Sequence, residues 1–192
     1  MVPKLPIFLR LVLKSLRRQM IHQQLCSRFR GAEIDARTAW TFDTIEAISI
    51  GTNVIIGPFS EIVVLKTCDK SSVEGSLHIG NNVCIGAGCN IRAAGGAIKI
   101  GANSMIAQHV SIIASSHTFK VGQIYSQLAW NQSKTGVTIG SNCWIGAGVV
   151  FLPGVHINEN SVIAAGSVVT RDVPSNEVWA RVPAVKIADV RP

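Results

Sequence analysis

The run Thr138–Val173, TIGSNCWIGAGVVFLPGVHINENSVIAAGSVVTRDV, decides the fold. Large apolar residues recur at every sixth position: Ile139, Ile145, Phe151, Ile157, Ile163 and Val169. Four places after each stands a small or β-branched residue: Cys143, Val149, Val155, Ser161, Ser167 and Val173. Directly after each large residue come Gly140, Gly146, Leu152, Asn158, Ala164 and Thr170. A period of six fits neither the 3.6 of a helix nor the 2 of a plain strand. It is the signature of a parallel β-helix, in which short strands wind round an apolar core. The large and small residues are expected to point inward, with Gly or Asn freeing the backbone to turn a corner.

Outward from this stretch, the same phase begins at Ile50, Ile56 and Ile62 and lapses through KTCDKSSVEGS. It resumes at Ile79, Ile85 and Ile91, then at Ile100, Ile106 and Ile112. Three hexapeptides per coil give five coils: 50–62, 79–91, 100–112, 139–151 and 157–169. The gaps between them, 17, 9, 27 and 6 residues, correspond to insertions of 11, 3, 21 and 0. Every insertion falls between the third side of one coil and the first side of the next, so all should emerge along one edge of a column about 24 Å tall. The longest, HTFKVGQIYSQLAWNQSKTGV, begins at His117 and carries Tyr125 and Trp130. It is too long for a plain corner and is expected to wall a functional site. After Val173 the period stops and Pro174 and Pro183 appear, which reads as a closing strand and a tail.

The net charge of +7 belongs to one end. Before Glu33 there are seven basic residues (Lys4, Arg10, Lys14, Arg17, Arg18, Arg28 and Arg30) and no acid; beyond it, eleven basic residues face eleven acidic ones. A neutral body excludes a nucleic-acid-binding body as the source of the basicity. Residues 6–30 read as one helix, with Pro6 in the first turn and Gly31 as its stop. Leu9, Val12, Leu13, Leu16 and Met20 line one face, and Arg10, Lys14, Arg17 and Arg18 another. Interleaved basic residues and the lack of a small-residue cleavage site exclude a signal peptide. Two roles stay open: packing the apolar face on the body or a neighbouring subunit, or resting on an anionic membrane surface. The chain thus divides into a basic helix and linker (1–40), a β-helix (41–175) with an extruded loop (117–138), and a tail (176–192). Five cysteines without a C-x-x-C pair (Cys26, Cys68, Cys84, Cys89 and Cys143) read as reduced and structural, in keeping with a cytoplasmic protein.

The segment CWIGAGVVFLPGVHINENSVIAAGSVVTRDVP (143–174) resembles the W-I-G…P-G-V…G-S-V-V-T-[KR]-D-[IV]-P block of hexapeptide-repeat acyltransferases, and IGANSMIAQHVSIIASSHTF (100–119) resembles the segment ending in their catalytic histidine. The nearest branches are maltose/galactoside O-acetyltransferases, xenobiotic acetyltransferases and acetyltransferases of exopolysaccharide pathways, and the likeness runs from about residue 76 to 186. It implies a left-handed winding, an all-β fold and a homotrimer. It also implies acetyl transfer from acetyl-CoA to a hydroxyl of a sugar or polysaccharide intermediate, without metal or covalent acyl-enzyme.

By the same resemblance His117 is the general base. Gly146, Ala147, Ala165 and Gly166 let the pantetheine arm approach, while Thr170, Arg171 and Lys186 meet the CoA phosphates. Asn90 and Trp144 line the acceptor and acyl site. The chain departs from the family at Arg181, where glycine is usual, and at Val185, where a basic residue is usual. The other histidines read as structural: His22 in the helix, His78 and His156 on solvated faces, His109 in mid-repeat. The alternatives are acetylation of a xenobiotic such as chloramphenicol, or a non-enzymatic or zinc-bearing β-helix. For zinc, His109 and His117 would supply only two of three histidines.

Overall fold

A computed structural model describes residues 6–191 of the 192. Three parallel sheets form the faces of a prism. The first face stacks Ile48–Ile50, Ser76–Ile79, Ala97–Ile100, Val137–Ile139 and Val155–Ile157. The second stacks Ala32–Ile34, Val54–Ile56, Cys84–Ile85, Met105–Ile106, Trp144–Ile145, Val162–Ile163 and Glu177–Ala180, closed by the antiparallel strand Val185–Asp189. The third stacks Ala39–Phe42, Glu61–Leu65, Asn90–Ala94, Ser111–Ile113, Val150–Phe151 and Val168–Val169. The five coils lie at the positions set by the period, each aliphatic above its counterpart, as in Ile56–Ile85–Ile106–Ile145–Ile163 on the second face.

The inward rows are dry. Ile139, Ile145, Phe151, Ile157, Ile163 and Val169 are all buried, as are Cys143, Val149, Val155 and Val173 in the small slot. Where serine takes that slot its hydroxyl is satisfied: Ser104 donates to the Gly140 carbonyl at 2.9 Å and Ser161 to the Pro174 carbonyl at 2.7 Å. A buried hydroxyl without such a bond would cost about 1–3 kcal/mol. Burial also pushes the thiols of Cys89 and Cys143 up, so both act as compact apolar residues. Cys84 differs, standing exposed on the outside of the second face.

Two corners of each coil are tight, and both place the third residue after the inward aliphatic in the left-handed region. Between the first and second faces this residue is Asn53, Asn82, Asn103, Asn142 and Asn160. Between the second and third it is Phe59, Gly88, His109, Gly148 and Gly166. The third edge carries all the insertions. At its base Asp43 accepts the backbone N–H groups of Lys66, Thr67 and Thr44; burial raises its pKa, but these donors outweigh it and the net shift is downward.

The ends depart from the sequence reading. Ala32–Ile34 and the first half of Ala39–Phe42, read as linker up to residue 40, pair with the coil above and begin an extra partial coil. At the top, Val173 bridges Ile157, and Trp179 pairs with Ile163. The N-terminal helix, α1, spans Ile7–Arg28 and ends where the Phe29 N–H donates to the Leu25 carbonyl. It seats Leu25, Ile21 and Phe29 against the base of the prism. Its apolar stripe does not pack on the body: Leu9, Leu13, Leu16 and Met20 are 39, 48, 49 and 68% exposed. The face turned toward the coils carries Lys14, Arg18 and His22, because the turns holding Leu25 and Ile21 set the rotation of the whole helix.

Candidate active site

The three insertions meet on one edge. The long loop folds back so that His117 and Trp130 form an antiparallel bridge. Their ring centroids lie 5.9 Å apart with planes at 76°, an edge-to-face contact. Trp130 is held from the other side as well: its backbone N–H donates to the Lys70 carbonyl, in the first insertion, at 2.9 Å. Lys70 Nζ donates to the Gln127 carbonyl at 3.3 Å, and Ser72 Oγ to Gln132 Oε1 at 2.6 Å. Beneath the indole lies Gly95, with φ +64°, where a Cβ would sit 2.5 Å from the ring. The short insertion therefore needs glycine twice over, for its backbone and for the tryptophan above it.

The result is a cleft of about 370 Å³ lined by Val63, Leu65, Arg92, Ile113, His117 and Trp130, among others. His117 stands at its mouth, exposed. Arg92 reaches Glu61 at 3.4 Å across two strands of the third face, and both ends of that pair are exposed. Asn90 lies on the same strand as Arg92, in register with Glu61 and Ser111. Asn90 Oδ1 and Trp130 Nε1 are buried without a hydrogen-bond partner. An imidazole at the rim, a guanidinium in the wall and an indole N–H left unpaired suit binding and deprotonation of a hydroxylated molecule. Trp130 was foreseen only as part of the loop, and Arg92 carried no sequence signal.

Asn90, at the start of its strand, does not line this cleft, and the other sequence-predicted residues lie elsewhere too. A second cleft, of about 620 Å³, is lined by Cys84, Met105, Gln108, His109 and Trp144. Trp144 is 55% exposed on the outside of the second face, in register with Met105 and Val162. Gly146, Ala147, Ala165 and Gly166 line the adjoining corner in two stacked coils. Their reasons for being small differ. A Cβ on Gly146 would meet the Ala165 nitrogen at 2.5 Å, so coil stacking alone demands glycine. Gly166 and Gly148 have left-handed φ and open space beyond, leaving their backbone reachable.

Arg171 stacks on Trp179 with its guanidinium 5.7 Å from the ring centroid. Thr170 is exposed beside it. Lys186 is engaged by Glu177 at 2.9 Å and Asp189 at 2.7 Å, and those carboxylates raise its pKa. A phosphate would have to displace both. The two clefts share no lining residue and lie on opposite edges of the third face. Among the described residues no three His, Cys, Asp or Glu side chains come together as a metal site.

Comparison with known proteins fits this architecture. The pattern described as bacterial transferase hexapeptide (six repeats) matches residues 136–171. The putative colanic acid biosynthesis acetyltransferase WcaF of Escherichia coli is 30% identical over 140 residues, 73% of this chain and 68% of that protein. The chain belongs to the hexapeptide-repeat transferase family. A further member, the galactoside O-acetyltransferase of E. coli, is 38% identical over 125 residues, 62% of this chain, and the match spans only 57% of its own length. Among solved structures, the N-acyltransferase AntD of Bacillus cereus, in complex with dTDP-4-amino-4,6-dideoxyglucose and coenzyme A, superposes with a TM-score of 0.71 at 22% identity, covering 91% of this chain and 90% of that one. The fold is thus the left-handed β-helix of this family.

Proposed function

We propose that the chain is an acetyl-CoA-dependent O-acetyltransferase acting on a hydroxyl of a sugar or polysaccharide precursor. The observation that carries this reading is the placement of His117 at the mouth of the loop-edge cleft, oriented by Trp130 and facing Arg92. The names of relatives that act on galactosides and in colanic acid biosynthesis support a sugar acceptor. The CoA-bound neighbour supports the donor.

The neutral imidazole accepts the acceptor hydroxyl proton as the oxygen attacks the thioester carbonyl, an effect typically worth ~10²–10⁴ in rate. The tetrahedral oxyanion needs a fixed donor, such as a backbone N–H. Collapse breaks the carbon–sulfur bond, the proton passes from imidazolium to the departing thiolate, and ester and free thiol leave. The reachable backbone at Gly166 would take the pantetheine arm, with Ala147 and Ala165 beside it, and the indole of Trp144 would wall the acyl end. Arg171 and Thr170 would meet the phosphates, and Asn90 the sugar.

The two half-sites sit on different edges of one prism, which supports a homotrimer whose groove joins the corner of one copy to the loop edge of the next. Acetyl-CoA as donor and five free thiols support a cytoplasmic setting. The test is thiol release from acetyl-CoA by wild type and His117→Ala, against free sugars, sugar nucleotides with hydroxyl or amino acceptors, and chloramphenicol. A sugar-dependent rate that falls at least about a hundredfold in the variant is expected. Equal rates would remove His117 from the mechanism, and turnover of an amino sugar or of chloramphenicol alone would replace the acceptor class.

A further inference from the structure

We infer that α1 is a docking element for an anionic lipid surface, and that the apolar stripe it turns away from its own body is the part that enters the bilayer interface. The inference does not rest on the acetyltransferase reading. It rests on the rotation of the helix. Leu25, Ile21, Arg18 and Lys14 fall on one line, and this line faces the base of the prism. Leu9, Leu13, Leu16 and Met20, spaced 4, 3 and 4 apart, form the opposite line. A helix that served only to cap the prism would be rotated by half a turn, burying leucines and leaving arginines in water. Instead four large apolar side chains stand exposed, and among the described residues nothing covers them.

Charge selects the occupant. Arg10, Arg17 and Arg28 lie on one shoulder of the stripe, about 70–90° from its centre at 100° per residue, where long basic side chains can reach headgroup phosphates while the leucines sit deeper. The sequence from residue 1 to 32 holds seven basic residues and no acid. Pairing this helix with that of a second copy would bring like charges together, with no carboxylate to offset them. A nucleic acid would satisfy the arginines and leave the stripe in water. An anionic bilayer satisfies both. No helix among the described residues is long and apolar enough to cross a membrane, so the contact is interfacial.

The experiment is co-sedimentation of the full chain with vesicles of phosphatidylcholine alone or mixed with phosphatidylglycerol, without acetyl-CoA. Wild type should pellet with the anionic vesicles and not with the zwitterionic ones, and 0.5 M salt should weaken the binding. Arg10→Gln/Arg17→Gln/Arg28→Gln should weaken partition about a hundredfold, roughly fivefold per charge. Leu13→Glu/Leu16→Glu should abolish it while circular dichroism, oligomeric mass and thiol release with a soluble acceptor stay unchanged. Equal binding to both vesicle types, or to neither, overturns the proposal. So does a changed oligomeric mass in the leucine variant, which would make the stripe a contact between copies. Vesicle binding without acetyl transfer would sink only the catalytic reading, and acetyl transfer without vesicle binding only this one.

Discussion

Where the first face turns into the second, asparagine fills the left-handed slot in every full coil, and its side chain does a second job. Asn53 Nδ2 donates to Asn82 Oδ1 at 3.1 Å, Asn82 to Asn103 at 2.9 Å, and Asn142 to Asn160 at 2.9 Å. Where the second face turns into the third, the same slot is filled by Phe59, Gly88, His109, Gly148 and Gly166. The backbone requirement is identical, and asparagine, glycine and histidine are among the residues that tolerate it. One corner uses the requirement to seal itself with a ladder of side chains. The other changes along the axis: filled by Phe59 and His109 lower down, then bare at Gly148 and Gly166. A single conformational need thus yields both a closed seam and an open groove.

Substitutions at three positions sharpen this contrast. The largest effect is expected from Gly146→Ala, which sets a methyl 2.5 Å from the Ala165 nitrogen and forces two coils apart. A loss of about 3 kcal/mol in urea unfolding is expected; a loss below about 1 kcal/mol would mean the coils slide to admit it. Next comes the sealed corner. Asn142→Ala keeps a Cβ in the left-handed slot and removes a ladder bond, for about 2 kcal/mol, whereas Asn142→Gly relieves the backbone and should cost less than half as much. Equal losses would show that the ladder, not the backbone, sets the residue. Smallest is Gly166→Ala, about 1 kcal/mol by backbone strain. Under the proposed donor site it should also raise KM for acetyl-CoA several-fold with kcat held, and an unchanged KM would close that corner as a binding groove.

The full coils were legible because a period of six holds three inward aliphatics in phase within each coil and runs unbroken from Ile139 to Val169. The end coils were not, because each keeps one six-residue step and then slips. Ile34 and Trp40 are six apart but lie ten before Ile50; Val173 and Trp179 are six apart but two residues early. The loop edge could be foreseen from the insertions, and His117 was singled out by the family resemblance of residues 100–119 together with its place at the start of the longest loop. What no periodicity encodes is which distant loop touches which. The contact of Trp130 with Gly95 and Lys70 arises only when coils one to four are stacked. The orientation of α1 was hidden for a related reason: amphipathicity says that two sides differ, not which of them the body takes.

The final hairpin has a consequence for solubility. A stack of parallel strands is its own template, and an uncovered last rung invites another chain to add below or above it. Here the strand Val185–Asp189 runs against the direction of every rung beneath it, and holds Lys186 between Glu177 and Asp189 on its outer side. An incoming parallel strand would meet the wrong hydrogen-bonding polarity and a row of charge. At the other end α1 lies against the partial coil of Ala32–Ile34 and Ala39–Phe42. The prism is therefore terminated at both ends, a finite object made from a motif that could otherwise grow into a fibre.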